Sequence, residues 1–330
     1  GEGVQRIALV SDAPNRYRGE FRDVIGYTLH HRDELDTLQR ELRDYRGCSV
    51  LIYQQACAAE KRRKQKKLHP EQSSRRIFIN PDICEGCGDC GLQSNCLSVL
   101  PKETNLGRKR QINQHACNHD FSCLRGFCPS FVSILNSKLK KPQFVLTEQD
   151  AFGSLPKVKQ VNLKQPWNIV VAGVGGTGVV TVTALIAMAA HIEGKGCATL
   201  NQTGLAQKFG AVVSHVRIAK DQGMIKAVRV PAGEADLLVG CDLVVSAAYE
   251  TMGKTAKKRT SAIINDAEQP TASFLHDPDA ELPTQKMRKH IEEQIGESAA
   301  TFVNATKLTE QILGDPLYLN LFLVGIAYQE

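Results

Sequence analysis

Short apolar runs alternate with stretches of helical period along most of the chain, a rhythm that predicts mixed α/β structure. Residues 6–12 (RIALVSD) read as a buried strand, 33–45 as an amphipathic helix and 48–54 (CSVLIYQ) as a second buried strand. Both strands are apolar throughout, as expected of a parallel sheet covered on both faces. Two strands are too few for a domain, so residues 1–70 are expected to be the C-terminal edge of an α/β sheet that continues upstream of Gly1. His30 and His31 fall in a surface loop on this reading. The rhythm returns at 168–172 (NIVVA), with further strands expected at 198–201, 211–218, 242–247, 261–265 and 301–304. Helices are expected at 179–193, 233–239, 283–295 and 306–313. That alternation describes a doubly wound α/β domain over 166–330. The apolar helical pattern at 317–328 is unfinished, so the domain is expected to continue.

Between these regions the rhythm gives way to cysteine. Seven of the eleven cysteines lie between positions 84 and 128. They read Cys84-x2-Cys87-x2-Cys90-x5-Cys96, then Cys117-x5-Cys123-x4-Cys128-Pro129. Cysteines two residues apart let one tight loop present three thiolates to one iron–sulfur cube, the fourth arriving from a loop that ends in Cys-Pro. This is the two-cluster ferredoxin plan. Its crossed pattern assigns Cys84, Cys87, Cys90 and Cys128 to one [4Fe-4S] cluster, and Cys96, Cys117 and Cys123 to a second. Asp120 stands where the middle cysteine of the second loop is expected, which makes it the candidate fourth ligand. Carboxylate is a harder donor than thiolate, so the second cluster is expected to be a labile [4Fe-4S] or a [3Fe-4S].

Residues 71–140 therefore read as a small α+β, ferredoxin-like iron–sulfur module. Residues 76–80 lead into the first loop as an edge strand, 97–100 leave it, and 107–110 (GRKR) form a turn with a basic tip. Gly86, Gly88 and Gly91 let backbone N–H groups turn toward sulfur. His115 and His119 flank Cys117, but the spacing favours Asp120. Zinc is the alternative: it prefers separated pairs closing a tetrahedron, and an odd seventh cysteine suits it poorly. Cys48, Cys57, Cys197 and Cys241 have no cysteine at metal spacing and read as packing side chains.

A length of 330 residues with 42% hydrophobic content fits two or three globular domains. The longest apolar run, 179–192, is broken by Thr181, Thr183 and His191, so no membrane span is expected. Cluster cysteines imply a reducing, cytoplasmic setting. The net charge of +6 is concentrated in 61–67 (KRRKQKK). Such a run reads as a solvated helix or linker, with nucleic-acid binding as the rival. Residues 141–165 are a second linker.

The strand at 168–172 runs into Gly173-Val174-Gly175-Gly176-Thr177-Gly178 and then a helix, the context a phosphate-binding turn requires. Asn201 ends the next strand where a dinucleotide fold wants an acid. Three readings stay open for Gly173, Gly175, Gly176, Thr177 and Gly178: a coenzyme or other phosphate, a tight packing turn, or a nicotinamide dinucleotide. His215, mid-strand, reads as a satisfied core histidine.

Taken together, CAAEKRRKQKK, CEGCGDCGLQSNC, CNHDFSCLRGFCPSF, GVGGTGVVTV and LNQTGLAQKFGAVVSHVRIA resemble the indolepyruvate ferredoxin oxidoreductase family of 2-oxoacid:ferredoxin oxidoreductases. The resemblance covers nearly the whole chain. It implies the edge of a thiamine-diphosphate domain, a ferredoxin-like domain and a γ-type domain in succession. It further implies oxidative decarboxylation of an aryl 2-oxoacid such as indolepyruvate, with coenzyme A as acyl acceptor and ferredoxin as electron acceptor. The remainder of the same polypeptide and a homo-oligomer are the implied partners. No Gly-Asp-Gly with a downstream Asn is present, so thiamine diphosphate and Mg2+ are expected to bind upstream of Gly1. Asn201 and Phe209 depart from the Asp and Gly of relatives.

Overall fold

The computed structural model describes residues 3–57 (22 excepted), 75–137, 161–204, 210–269 and 280–330, with a few single positions between them. The basic run 61–67, apart from Lys64, and most of the expected linker lie outside the described residues. The chain packs as two compact units. One is Gly1–Arg76 with Asn118–Phe121 and Ile134–Asn136; the other is Ile77–Cys117 with Ser122–Ser133 and Ser137–Glu330.

In the first unit β1 (Val4–Ser11) lies between β2 (Tyr27–His31) and β3 (Cys48–Gln54), parallel to both. Leu35, Leu38 and Leu42, at helical spacing on α1 (Leu35–Asp44), pack on Ala8 and Val10. Strand β2 corrects the surface loop expected around His30 and His31. Both are half-buried strand residues, with the His30 ring 3.1 Å from Glu34 and His31 capping the turn Arg32–Glu34. Strand β3 forms where expected but is not covered on both faces: Ile52 and Tyr53 are 47% and 44% exposed. It is one of the two edge strands of this sheet, β2 being the other.

In the cysteine-bearing part of the second unit, β4 (Arg76–Ile79) pairs with β7 (Phe131–Ile134), and β5 (Val99–Thr104) pairs antiparallel with β6 (Gly107–Ile112). Residues 107–110 are thus strand, not a basic turn. Arg110 is buried with its guanidinium 5.0 Å over the Phe274 ring, and Arg108 donates to the Ala280 carbonyl and to Glu103. Charge alone sends an arginine to water; an aromatic face and a carbonyl acceptor are what hold these two. The strand leaving the first loop starts at Val99 rather than 97, because Cys96 first turns the chain, its carbonyl accepting the Val99 N–H.

The large sheet is built from β8 (Trp167–Val174), β9 (Gly196–Thr203), β10 (Ala211–Ala219), β11 (Leu237–Gly240), β12 (Ser261–Asn265) and β13 (Ala300–Val303), in the order β13-β12-β11-β8-β10-β9. Three of its pairings are parallel; β10 runs antiparallel to β8 and β9. Strand alternation divides β8 between two cores. Ile169 and Val171 meet Val179, Val182, Leu319 and Leu323 on one face, while Val170 and Ala172 meet Leu243, Ile291 and Ile295 on the other. The helices concerned include α3 (Val179–Ile192) and α8 (Leu319–Gln329) on the first face, and α4 (Leu243–Ser246) and α6 (Thr284–Ile295) on the second. Between α4 and α8 also lie α5 (Tyr249–Met252) and α7 (Ala305–Leu313). The fold is doubly wound, as expected.

One stretch is inverted relative to expectation. The helix expected at 233–239 ends as strand β11, and the strand expected at 242–247 is helix α4. A short apolar run such as LLVGCDLVV does not distinguish the two periods. Asp242 decides it, its side chain accepting the Val245 N–H at 2.8 Å as an N-cap.

Candidate functional site

The cysteine-bearing part repeats one construction. After β4, Asn80 accepts the Cys84 N–H on its carbonyl at 3.0 Å and the Asp82 N–H on its side chain at 3.0 Å. After β6, Asn113 accepts the Cys117 N–H at 3.0 Å and the His115 N–H at 3.0 Å in the same way. The two asparagine N–H groups then cross over. Asn80 donates to the Ser130 carbonyl and Asn113 to the Ser98 carbonyl, each at 2.8 Å. Ser130 follows Cys128 by two residues, and Ser98 follows Cys96 by two. The entrance of each cysteine loop is therefore tied to the exit of the other, and both serines are buried.

Cys84 is buried and accepts the Gly86 N–H on its sulfur at 3.4 Å. Gly86 holds φ at 78°, and a Cβ there would run into the Arg108 carbonyl oxygen, so the loop lies close against β6. Cys90 belongs to the short helix α2 (Asp89–Ser94), which packs on the turn Ser122–Leu124 that carries Cys123. Burial pushes the Cys90 thiol up to about 11, with Arg110 opposing and the charges of Cys84 and Cys87 adding to the rise. Such a thiol stays protonated at neutral pH until a metal displaces the proton.

Cys87 and Cys128 are exposed; Cys96, Cys117 and Cys123 are half-buried. The Cys128 sulfur lies 3.0 Å from the Ser130 hydroxyl. Asp120 is exposed and falls in Asn118–Phe121, which packs with the first unit. The His119 ring meets the Arg75 carbonyl at 3.3 Å, and the His115 ring stands 3.9 Å from Asp315. Among the described residues no three His, Cys, Asp or Glu side chains close on a point as a single ion requires. A four-iron cube spreads its thiolates over separate irons and holds them farther apart. Soft sulfur donors, with an N–H turned onto one sulfur, fit that kind of group.

The second candidate site is the turn between β8 and α3. From β8 the chain passes through α3 to β9 on one side of the sheet and later to β11 on the other, so the turn lies at the switch point where α/β sheets form a crevice. A Cβ on Gly173 would stand 2.7 Å from the Cys241 Cβ and 2.9 Å from the Val179 Cγ2. The Gly175 N–H goes to the Gly210 carbonyl at 2.7 Å, the Thr177 hydroxyl to Val174, and the Asn320 amide to the Thr177 carbonyl. Gly173→Ala is expected to destabilise the chain by about 1–3 kcal/mol through overpacking, read as a lower urea midpoint.

Asp242, which pattern reading placed inside a strand, comes to the same crevice from the end of β11. Its carboxyl is raised by burial, against the pull of the Val245, Val244 and Val174 N–H groups. The visible sign was an acid following a short apolar run, the mark of an N-cap. Asn201 accepts the Thr183 hydroxyl at 3.2 Å and so serves the packing of α3. Residues 205–209, including Phe209, lie outside the described residues.

A mostly parallel sheet wound on both faces, with a glycine turn at its switch point and a duplicated cysteine module ahead of it, defines a two-part α/β protein that joins a cysteine-rich module to a doubly wound domain. Residues 168–329 match the family model described as Pyruvate ferredoxin/flavodoxin oxidoreductase. The indolepyruvate oxidoreductase subunit IorB of Archaeoglobus fulgidus is 32% identical over 165 residues, covering 49% of this chain and 75% of that protein. Its namesake in Thermococcus kodakarensis is 29% identical over 164 residues, covering 49% and 77%. A solved structure of pyruvate oxidoreductase subunit PORC from Thermotoga maritima aligns at a TM-score of 0.35 and 16% identity, over 50% of this chain and 75% of that one. The chain belongs to the indolepyruvate ferredoxin oxidoreductase family. No helix among the described residues is long and apolar enough to cross a membrane.

Proposed function

We propose that this chain is the electron-carrying and γ-type part of a cytoplasmic enzyme that oxidises an aryl 2-oxoacid such as indolepyruvate. The acid loses carbon dioxide, its acyl group passes to the sulfur of coenzyme A, and two electrons leave toward ferredoxin. Iron–sulfur clusters, when bound, supply one-electron storage between the reacting carbon and the acceptor. Cys84, Cys87, Cys90 and Cys128 hold one; Cys96, Cys117 and Cys123, with Asp120, hold the other. Thiamine diphosphate and Mg2+ are supplied by another part of the enzyme, since these 330 residues hold no Gly-Asp-Gly motif, and the chain works in association with other subunits. The turn at Gly173, Gly175, Gly176, Thr177 and Gly178 takes the phosphate end of coenzyme A in this reading.

The observation that carries the proposal is the crossed pair of hydrogen bonds, Asn80 to Ser130 and Asn113 to Ser98. They bring the Cys128 segment to the Cys84 loop and the Cys96 segment to the Cys117 loop, the exchange of a ligand that two neighbouring clusters require. Anaerobic reconstitution with iron and sulfide, followed by metal analysis and EPR, is expected to give two clusters per chain. A colourless protein that takes up zinc instead would overturn it. In the same assay Asp120→Cys is expected to make the second cluster resist iron loss on oxidation, because thiolate replaces a harder oxygen donor. Equal cluster loss from both proteins would remove Asp120 from the ligand set.

A further inference from the structure

Ser130 ties the Cys128 segment to the entrance of the Cys84 loop. Its carbonyl accepts the Asn80 N–H at 2.8 Å, and Asn80 in turn accepts the Cys84 N–H at 3.0 Å. Its hydroxyl lies 3.0 Å from the Cys128 sulfur, and the residue is 1% exposed. In the thiol either atom can be the donor. A coordinated thiolate has no proton left, so the hydroxyl must then donate to sulfur. Ser98 occupies the equivalent place in the repeat, yet among the described residues it shares no such bond with Cys96. The two halves share the asparagine–serine clamp, and the hydroxyl–sulfur contact of Ser130 is a feature of the first cluster's side of it.

We propose that Ser130 is a positioning residue that makes the cluster held by Cys84, Cys87, Cys90 and Cys128 easier to reduce than it would be without the hydroxyl. The inference rests on the cluster reading above. Reduction adds negative charge to the cluster and its sulfurs, and a hydrogen bond donated to one of them is stronger in the reduced state. A buried donor is not in competition with water, so the difference persists.

Redox titration of the reconstituted chain, followed by EPR, tests this. Ser130→Ala is expected to shift the reduction equilibrium of the first cluster about tenfold toward the oxidised form, or ~59 mV for one electron. Ser130→Thr restores the hydroxyl and is expected to restore the potential. Ser98→Ala is expected to leave both potentials in place. Iron and sulfide are counted in the same samples. Clusters present in full with an unmoved Ser130→Ala potential would overturn the role of Ser130 alone. A shift that threonine does not reverse would also overturn it, by assigning the effect to packing. A wild-type chain that takes up no iron would overturn the cluster reading and this inference with it.

Discussion

Cys84→Ala is expected to cost the chain one of its two clusters outright while sparing the other. Cys84 is the most enclosed of the seven module cysteines, at 8% exposure, and its surroundings are already arranged around a sulfur. The Gly86 N–H points at it, and its own N–H is held by Asn80. Alanine leaves the Gly86 N–H without its sulfur acceptor and the cube with three thiolates. Serine keeps the size but substitutes a hard oxygen and is expected to do little better. The second loop is fixed by its own asparagine, Asn113, so the signal from Cys96, Cys117 and Cys123 should survive. Iron analysis with EPR distinguishes the outcomes: loss of both signals would mean that the module forms only as a unit, and loss of neither would remove Cys84 from the ligand set.

Where one principle governs a stretch of chain, its structure could be read from residues alone. The run NIVVAGVGGTG is such a case, since apolar strand, glycine turn and helix allow one local arrangement. Misreadings cluster where tertiary partners decide. The residues LLVGCDLVV carry no period, and the strand-then-helix order came from the cap made by Asp242. His30 and His31 read as a surface loop, yet pairing with β1 makes them the end of a strand. Arg110 was assigned to solvent because nothing in GRKR foretells Phe274, far along the chain. The repeat Asn-x3-Cys followed by Cys-x-Ser was visible twice in the sequence. Its meaning, a crossed clamp between two loops, depends on hydrogen bonds that only the fold supplies.

Acid is expected to weaken the large sheet through a single buried ring. His215 is wholly buried on β10; its Nδ1 accepts the Val230 N–H at 3.3 Å, so the proton sits on Nε2, which donates to the Gln202 side-chain oxygen at 2.7 Å. Both nitrogens are satisfied in the neutral form, and a second proton would set two donors face to face at Val230. Burial first, then the positive charges of Lys254 and Arg229, hold the group down to about 4. The unfolded chain titrates near 6.5. Between those values the unfolded state binds the extra proton and the folded state does not, so stability is complete above the upper value and falls as pH drops toward the lower. From pH 7.5 to 5 the loss from this one residue is about 2 kcal/mol. Urea unfolding followed at both pH values should show that decline, and His215→Gln should remove it from the pH slope whatever its own stability at pH 7.5. A variant with the same slope as the wild type would mean that the ring is protonated in the fold, and that the Val230 N–H bond is not the one that holds it.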